Sequence, residues 1–246
     1  MRRRNFVAGA AGLLTAGCSE IGKTEWFGGL VDTAERAHRG AHRVLGARRT
    51  ALAPEYAPSD ISPFFRGNGS TDVPTPEYRA AEAAGFVDWQ LAVAGLVERP
   101  LALSLAEIRA LPQRTQITRH DCVEGWSAIG QWTGPQLSLL LEQAGVRPEA
   151  RYVVFHCADT LSGSRYYESC DMDDAFHPQT IVAHQLNGEP LPVKNGAPLR
   201  MRLERQLGYK HAKYLTGIEA VASLEGFGAG GGGYWEDRGY QWYAGI

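Results

Sequence analysis

A chain of 246 residues, 44% hydrophobic and 21% charged, has the composition of a globular protein long enough to bury a sizeable core. Its formal net charge is −2, and no basic block lies between aromatic residues, which excludes nucleic acid as a partner. No stretch approaches the roughly 20 apolar residues that a membrane-spanning helix requires.

The first segment, MRRRNFVAGAAGLLTAGC, has a positive start, an apolar run over 6–17 and then Cys18. The run is too short to span a bilayer and ends in small residues, so residues 1–17 read as an export signal, which predicts a periplasmic protein. Arg3-Arg4-Asn5-Phe6-Val7 is similar to the twin-arginine pattern of proteins exported already folded. Leu14-Thr15-Ala16-Gly17-Cys18 is similar to a bacterial lipobox, whose cysteine becomes a lipid anchor; the alternative is a plain secretion signal with an incidental cysteine. Without residues 1–17 the chain carries 22 basic and 27 acidic residues, a net of −5. Cys122, Cys157 and Cys170 then remain in the body, and three thiols cannot all pair.

Residues 18–60, with Arg36, Arg39, Arg43, Arg48 and Arg49 among apolar positions, are expected as a surface helix or a tether. Pro54, Pro58, Pro63, Pro74 and Pro76, together with Gly67-Asn68-Gly69, make 51–78 an irregular loop lying over a scaffold. Residues 86–94 (FVDWQLAVA) alternate as a strand closed by Gly95. Ser104 and Glu107 form a capping box for a short helix that stops at Pro112. Residues 113–119 make a strand that delivers Cys122 to its end. Gly134-Pro135 opens a helix with Leu137, Leu140, Leu141 and Ala144 on one face. A buried strand over 151–156 and a short helix over 171–176 follow. Segments 180–186, 198–203 and 214–223 supply strands or partly helical pieces. The glycine run 228–233 reads as a flexible surface loop before an aromatic tail. Strands and helices mix without the alternation of a doubly wound sheet, so the fold class is α+β, a single mixed domain over 61–225 with a loop and tail over 226–246.

The chemistry concentrates in RHDCVEGWS at 119–127. Cys122 as a nucleophile requires a base, and His120, His156 and His211 are candidates. A zinc site is a second reading, from His120-x-Cys122 and His156-Cys157; adjacent residues of a strand point to opposite faces, so one of that last pair would be lost. A third is that the Cys122 thiolate, a soft donor, ligates a metal held by an organic cofactor, with Arg200, Lys210 and Lys213 as cations for its phosphate.

RHDCVEGWS, FHPQT at 176–180, NGAPLR at 195–200 and GYKHAK at 208–213, in that order, resemble the sulfite oxidase family of molybdopterin oxidoreductases, in particular its bacterial methionine sulfoxide reductase branch. The resemblance spans about residues 60–225. It implies the fold of that family's molybdopterin-binding domain and a molybdenum-molybdopterin (Mo-MPT) cofactor. Cys122 matches the molybdenum ligand. Asn195 and Arg200 match positions that hold the pterin, and His211, Ala212 and Lys213 match the segment closing on its phosphate. Cys157 falls where the reductase has a cofactor-contacting threonine, and Ser62, Phe65 and Arg66 fall on its Asn-x-x-Tyr-Glu segment. Ser127 stands where sulfite-oxidising members have an arginine, which disfavours sulfite unless Arg119 or Arg165 replaces it in space. Glu124 is either a catalytic proton relay or a structural acid. The implied activity is oxygen-atom transfer, in the direction of reducing a small-molecule sulfoxide-like oxide; sulfite-type oxidation of a sulfur compound, or a zinc or thiol enzyme without pterin, is the alternative. With no haem-attachment or iron–sulfur motif, the expected electron partner is a separate protein, a membrane haem protein or a soluble cytochrome.

Overall fold

Apolar residues that alternate along a strand bury one face of it. In the computed structural model, which describes residues 24–45 and 51–246, Leu91 and Val93 of β1 (Gln90–Gly95) are fully buried while Gln90 and Ala92 face out. The expected start at Phe86 is two turns of pattern too early. Residues 84–88 are a turn closing helix α2 (Pro76–Ala83), and Phe86 takes a left-handed φ of 58° to pack on Tyr78 and Trp89. Alternation continues through that turn, so the pattern does not mark it.

Residues 24–45 and 51–246 fall in separate compact units. The first contains helix α1 (Glu25–Leu45), with Trp26 and Leu30 exposed. The export signal and Cys18 lie outside the described residues. No described helix is long and apolar enough to cross a membrane.

The second unit is built on a five-stranded sheet in the order β2-β1-β11-β5-β6, where β2 is Leu101–Ser104, β5 Tyr152–Leu161, β6 Ser164–Asp171 and β11 Leu215–Val221. Only the β1–β11 pair is parallel. Helices α3 (Leu105–Ala110) and α4 (Leu137–Ala144) cover it. Leu137, Leu140, Leu141 and Ala144 are all fully buried, as their spacing predicts, against Val153, Phe155 and Ile218. Each of the three leucines contributes about 1.5–3 kcal/mol of burial. The capping box at Ser104 is formed, with Glu107 Oε2 accepting the Ser104 N–H at 2.8 Å.

A second sheet runs β3-β4-β8-β9: β3 is Gln113–Cys122, β4 Trp126–Pro135, β8 Gln185–Leu186 and β9 Glu189–Pro190. β4 was not expected; Gly134-Pro135 ends this strand rather than opening a helix, and Gln136 bridges Ile181 before α4 begins. β6 was likewise unassigned from sequence. The short helix α5 (Met172–Ala175) stands where expected, and strands β7 (Ile181–Ala183) and β10 (Arg200–Arg202) pair as a ribbon. Cys157 and Cys170 sit in the main core on β5 and β6, and no disulfide joins described residues.

The compact body extends beyond both ends of 61–225. Tyr56 donates its N–H to Ile117 O at 2.9 Å, and His177 and Gln179 of the FHPQT stretch bind the backbone at Ala51 and Ala53. Thus residues 55–56 pair with β3, and Ala51 and Ala53 are bonded to the 177–179 stretch. At the other end the glycine run is packed instead of forming a loose surface loop: a Cβ at Gly232 would lie 2.6 Å from Trp242. Tyr234 and Tyr243 of the tail are buried.

Candidate active site

The hairpin joining β3 to β4 turns through Val123-Glu124-Gly125. Gly125 has φ +85° and donates its N–H to Cys122 O at 3.0 Å, the left-handed closure that a three-residue hairpin loop requires. Cys122, the last residue of β3, is thereby set on the floor of a cleft. Burial pushes its thiol up, and the Glu124 carboxylate adds to that. Glu124 stands at the exposed mouth, accepting the Trp126 indole N–H at 2.9 Å and the Gly69 N–H at 3.5 Å. It ties the hairpin to the 67–71 loop.

Three elements close the remaining sides. From the irregular loop come Asn68 and Ser70. From β5 comes Asp159, re-aimed by a register shift in the β5–β6 pairing between His156 and Thr160, and bonded to Ser70. From the segment after β10 come His211 and Lys213. Beneath them Arg200 and Arg202 lie buried over the ring of Trp132, at 4.9 and 4.3 Å from its centroid.

Charge in this cleft is unevenly matched. Arg202 is held by Glu204, with contacts of 2.9 and 2.5 Å, and its third nitrogen meets His120 Nδ1 at 2.9 Å. Arg200 and Lys213 have only backbone carbonyls: Asn195 O at 2.9 Å for Arg200, and Asn68 O at 2.5 Å, with Ser70 O, for Lys213. Burial and then Arg202 lower the Arg200 guanidinium to about 9, and burial and then Arg200 lower Lys213 to about 7. Burial also keeps His211 neutral. Its Nε2–H donates to Leu203 O and Gln206 O, which leaves Nδ1 a bare acceptor. Asn68 Oδ1, Asp159 Oδ1, His211 Nδ1 and His120 Nε2 are buried without a partner. Such groups cost stability unless something else satisfies them. An anionic, hydrogen-bonding ligand with a soft metal fits the set: two buried cations, the open donor His120 Nε2–H (its Nδ1 accepts from Arg202), open acceptors on Asn68, Asp159 and His211, and one thiol.

The structure brings Cys122, Glu124, His211 and Lys213 together on the cleft, with Arg200 and Asn195 directly behind; Asn195 Nδ2 donates to Arg66 O at 3.1 Å. It does not bring in the others by side chain. Ser62 exchanges hydrogen bonds with Ile129 backbone, Phe65 packs on Trp132 and His120, and the Arg66 side chain is exposed. The Cys157 thiol and the Ala212 methyl face the main core. Lys210, a candidate phosphate cation, is buried instead between Glu168 and Glu236. Asn68 and Asp159 were missed; an acid in the apolar strand YVVFHCADTL was the available signal. Arg119 pairs with Asp121 at 2.9 Å, and Ser127 donates to the other oxygen of that carboxylate, so neither places a cation in the cleft. Arg165 lines a different cleft. Among the described residues no group of three or more His, Cys, Asp or Glu is placed to hold a metal.

Comparison with known proteins identifies the family. Residues 74–225 match the oxidoreductase molybdopterin binding domain. A chain of Azospira oryzae, provisionally named a protein-methionine-sulfoxide reductase subunit, YedZ1, is 42% identical over 79% of this chain and 68% of its own length. The protein-methionine-sulfoxide reductase catalytic subunit MsrP of Xanthomonas campestris pv. campestris is 36% identical over 63% of this chain. This chain spans about half of that relative's length, 51%. The sulfane dehydrogenase SoxCD of Paracoccus pantotrophus shares the fold at a TM-score of 0.52 and 24% identity, over 56% of this chain and 39% of its own.

Proposed function

The chain belongs to the oxidoreductases built on the molybdopterin binding domain, and from that premise we propose that it transfers oxygen atoms in the reducing direction, converting a sulfoxide-like oxide to its sulfide. In this reaction the S=O oxygen leaves as water while two electrons and two protons are taken up. When bound, the Mo-MPT cofactor supplies the two-electron chemistry.

The observation that carries the reading is the cleft itself, where one thiol faces buried cations and polar atoms that the protein leaves unmatched. Cys122 is the residue to hold the metal. Asn195, Arg200, His211 and Lys213 are positioned to hold the cofactor, with the Ala212 backbone, bonded to Met201 N–H at 2.7 Å, fixing the segment. Glu124, at the solvent-exposed mouth, is placed to take a proton from water and pass it inward at Oε1. Asp121 holds Arg119 and Ser127 out of the cleft, and the Glu124 carboxylate repels a dianion. These two features favour a neutral oxide over sulfite.

Electrons come from a separate redox protein, a membrane haem protein or a soluble cytochrome; both sulfoxide reductase relatives are named as subunits, which supports that arrangement. We further propose periplasmic location after twin-arginine export, with Cys18 as a lipid anchor. The deciding experiment is metal analysis of protein made in molybdenum-replete cells, combined with turnover of sulfoxides and of sulfite using dye electron donors and acceptors. About one molybdenum per chain and reduction of sulfoxides is the expected result; zinc, or sulfite oxidation alone, refutes the reading.

A further inference from the structure

The family match ends at residue 225, yet two side chains from beyond it, Trp235 and Tyr240, face the same cleft as Cys122. They stack on each other with centroids 5.1 Å apart, and Tyr209 meets Tyr240 edge-on at 5.3 Å. The pair is held in place from behind. Tyr240 N–H donates to Trp235 O at 3.0 Å, Tyr209 Oη–H donates to Gln241 O at 2.7 Å, and Glu236, adjacent to Trp235, is bound by buried Lys210. Tyr240 keeps 38% of its surface exposed, so the core does not require its ring. With exposed Val123 on the hairpin, these rings add apolar surface to a cleft that also holds Glu124, Asp159 and Lys213.

We propose that Trp235 and Tyr240 form the subsite that receives the apolar arm of the substrate, directing its oxide toward Cys122. The inference rests on the sulfoxide reading above and adds to it where specificity resides: in a C-terminal segment that the family domain does not include. Sulfur and methyl groups attached to it pack favourably against aromatic rings, whereas a bare oxyanion gains nothing from them.

The test uses the full-length holoenzyme with a reduced dye and two sulfoxides, dimethyl sulfoxide and methyl phenyl sulfoxide. Wild type should show the lower KM for the phenyl compound. In Trp235→Ala and in Tyr240→Ala, that KM should rise about tenfold relative to the KM for dimethyl sulfoxide, the size of losing one or two ring contacts. Trp235→Phe should retain most of the preference. Molybdenum content reports folding and loading; if Trp235→Ala fails to load, Tyr240→Ala and Trp235→Phe carry the measurement. An unchanged KM ratio in a loaded Tyr240→Ala overturns the subsite while leaving the sulfoxide reading intact. A loaded wild type that reduces neither sulfoxide overturns both.

Discussion

Lys210 and Lys213 are buried to nearly the same degree in one short segment, yet the fold treats them in opposite ways. Lys210 lies between Glu168, at 2.7 Å, and Glu236. Burial pushes its ammonium down, but the two carboxylates outweigh that and hold it above the ordinary lysine range. Lys213 hydrogen-bonds only to backbone carbonyls, and burial and then Arg200 bring it to about 7, outweighing the opposing pull of Asp159 and Glu124. A buried cation between carboxylates fastens one part of the chain to another; here it ties the C-terminal tail to β6. A buried cation whose hydrogen bonds all go to neutral carbonyls, with no carboxylate in direct ion-pair contact, has electrostatic capacity left over, and it stands where an anion would use it.

Four variants or conditions sharpen or break this contrast. The largest effect is expected for Cys122→Ala, which should abolish turnover and metal retention while costing about 1 kcal/mol of stability. Full activity in a metal-loaded C122A protein would remove the thiol from the site. Lys210→Met should destabilise the fold by about 3–5 kcal/mol in chemical denaturation, because two carboxylates lose their cation. Lys213→Met should change stability by only about 1 kcal/mol, since relief of a buried charge offsets the lost hydrogen bonds. Its cofactor retention should fall about 10- to 100-fold, the worth of one charge-assisted hydrogen bond. Equal destabilisation by K210M and K213M would erase the distinction between the two lysines.

The smallest effect is one of pH. In the cofactor-free protein Lys213 titrates near 7, and an anion beside Nζ raises that value. Between the two values binding takes up a proton, so affinity for the anionic cofactor should fall as pH rises above about 7, by at most about tenfold per pH unit. The K213M protein should lose this slope between about pH 7 and 8, below the range in which Arg200 loses its charge. A wild-type retention curve flat from pH 6 to 9 would contradict it.

Much of the site was legible in order along the chain. The cysteine at a strand end, NGAPLR and KHAK are each contiguous motifs, so their residues could be read locally, while their meeting in one cleft depends on the tertiary fold. The α4 face was legible too, because helical spacing alone sets which side chains share a face. Non-local pairing was not. β4 contains Gly130, Gly134 and Pro135, residues that signal turns in isolation, and it is a strand because β3 pairs with it for ten positions, from Gln113↔Pro135 to Cys122↔Trp126. The glycine run at 228–233 reads as loose in one dimension and is packed because Trp242 and Glu168 come close to it in three.

The sequence by itself determined the chemistry on offer: a soft thiolate in an acidic setting, basic residues at fixed spacing and a family signature that joins them. Tertiary structure decided which charges remain available. Lys210 and Lys213 differ little in local sequence, but Glu168 on β6 and Glu236 in the tail reach one and not the other. Coulombic pairing depends on a few ångströms between residues far apart in the chain, and only folding fixes those distances.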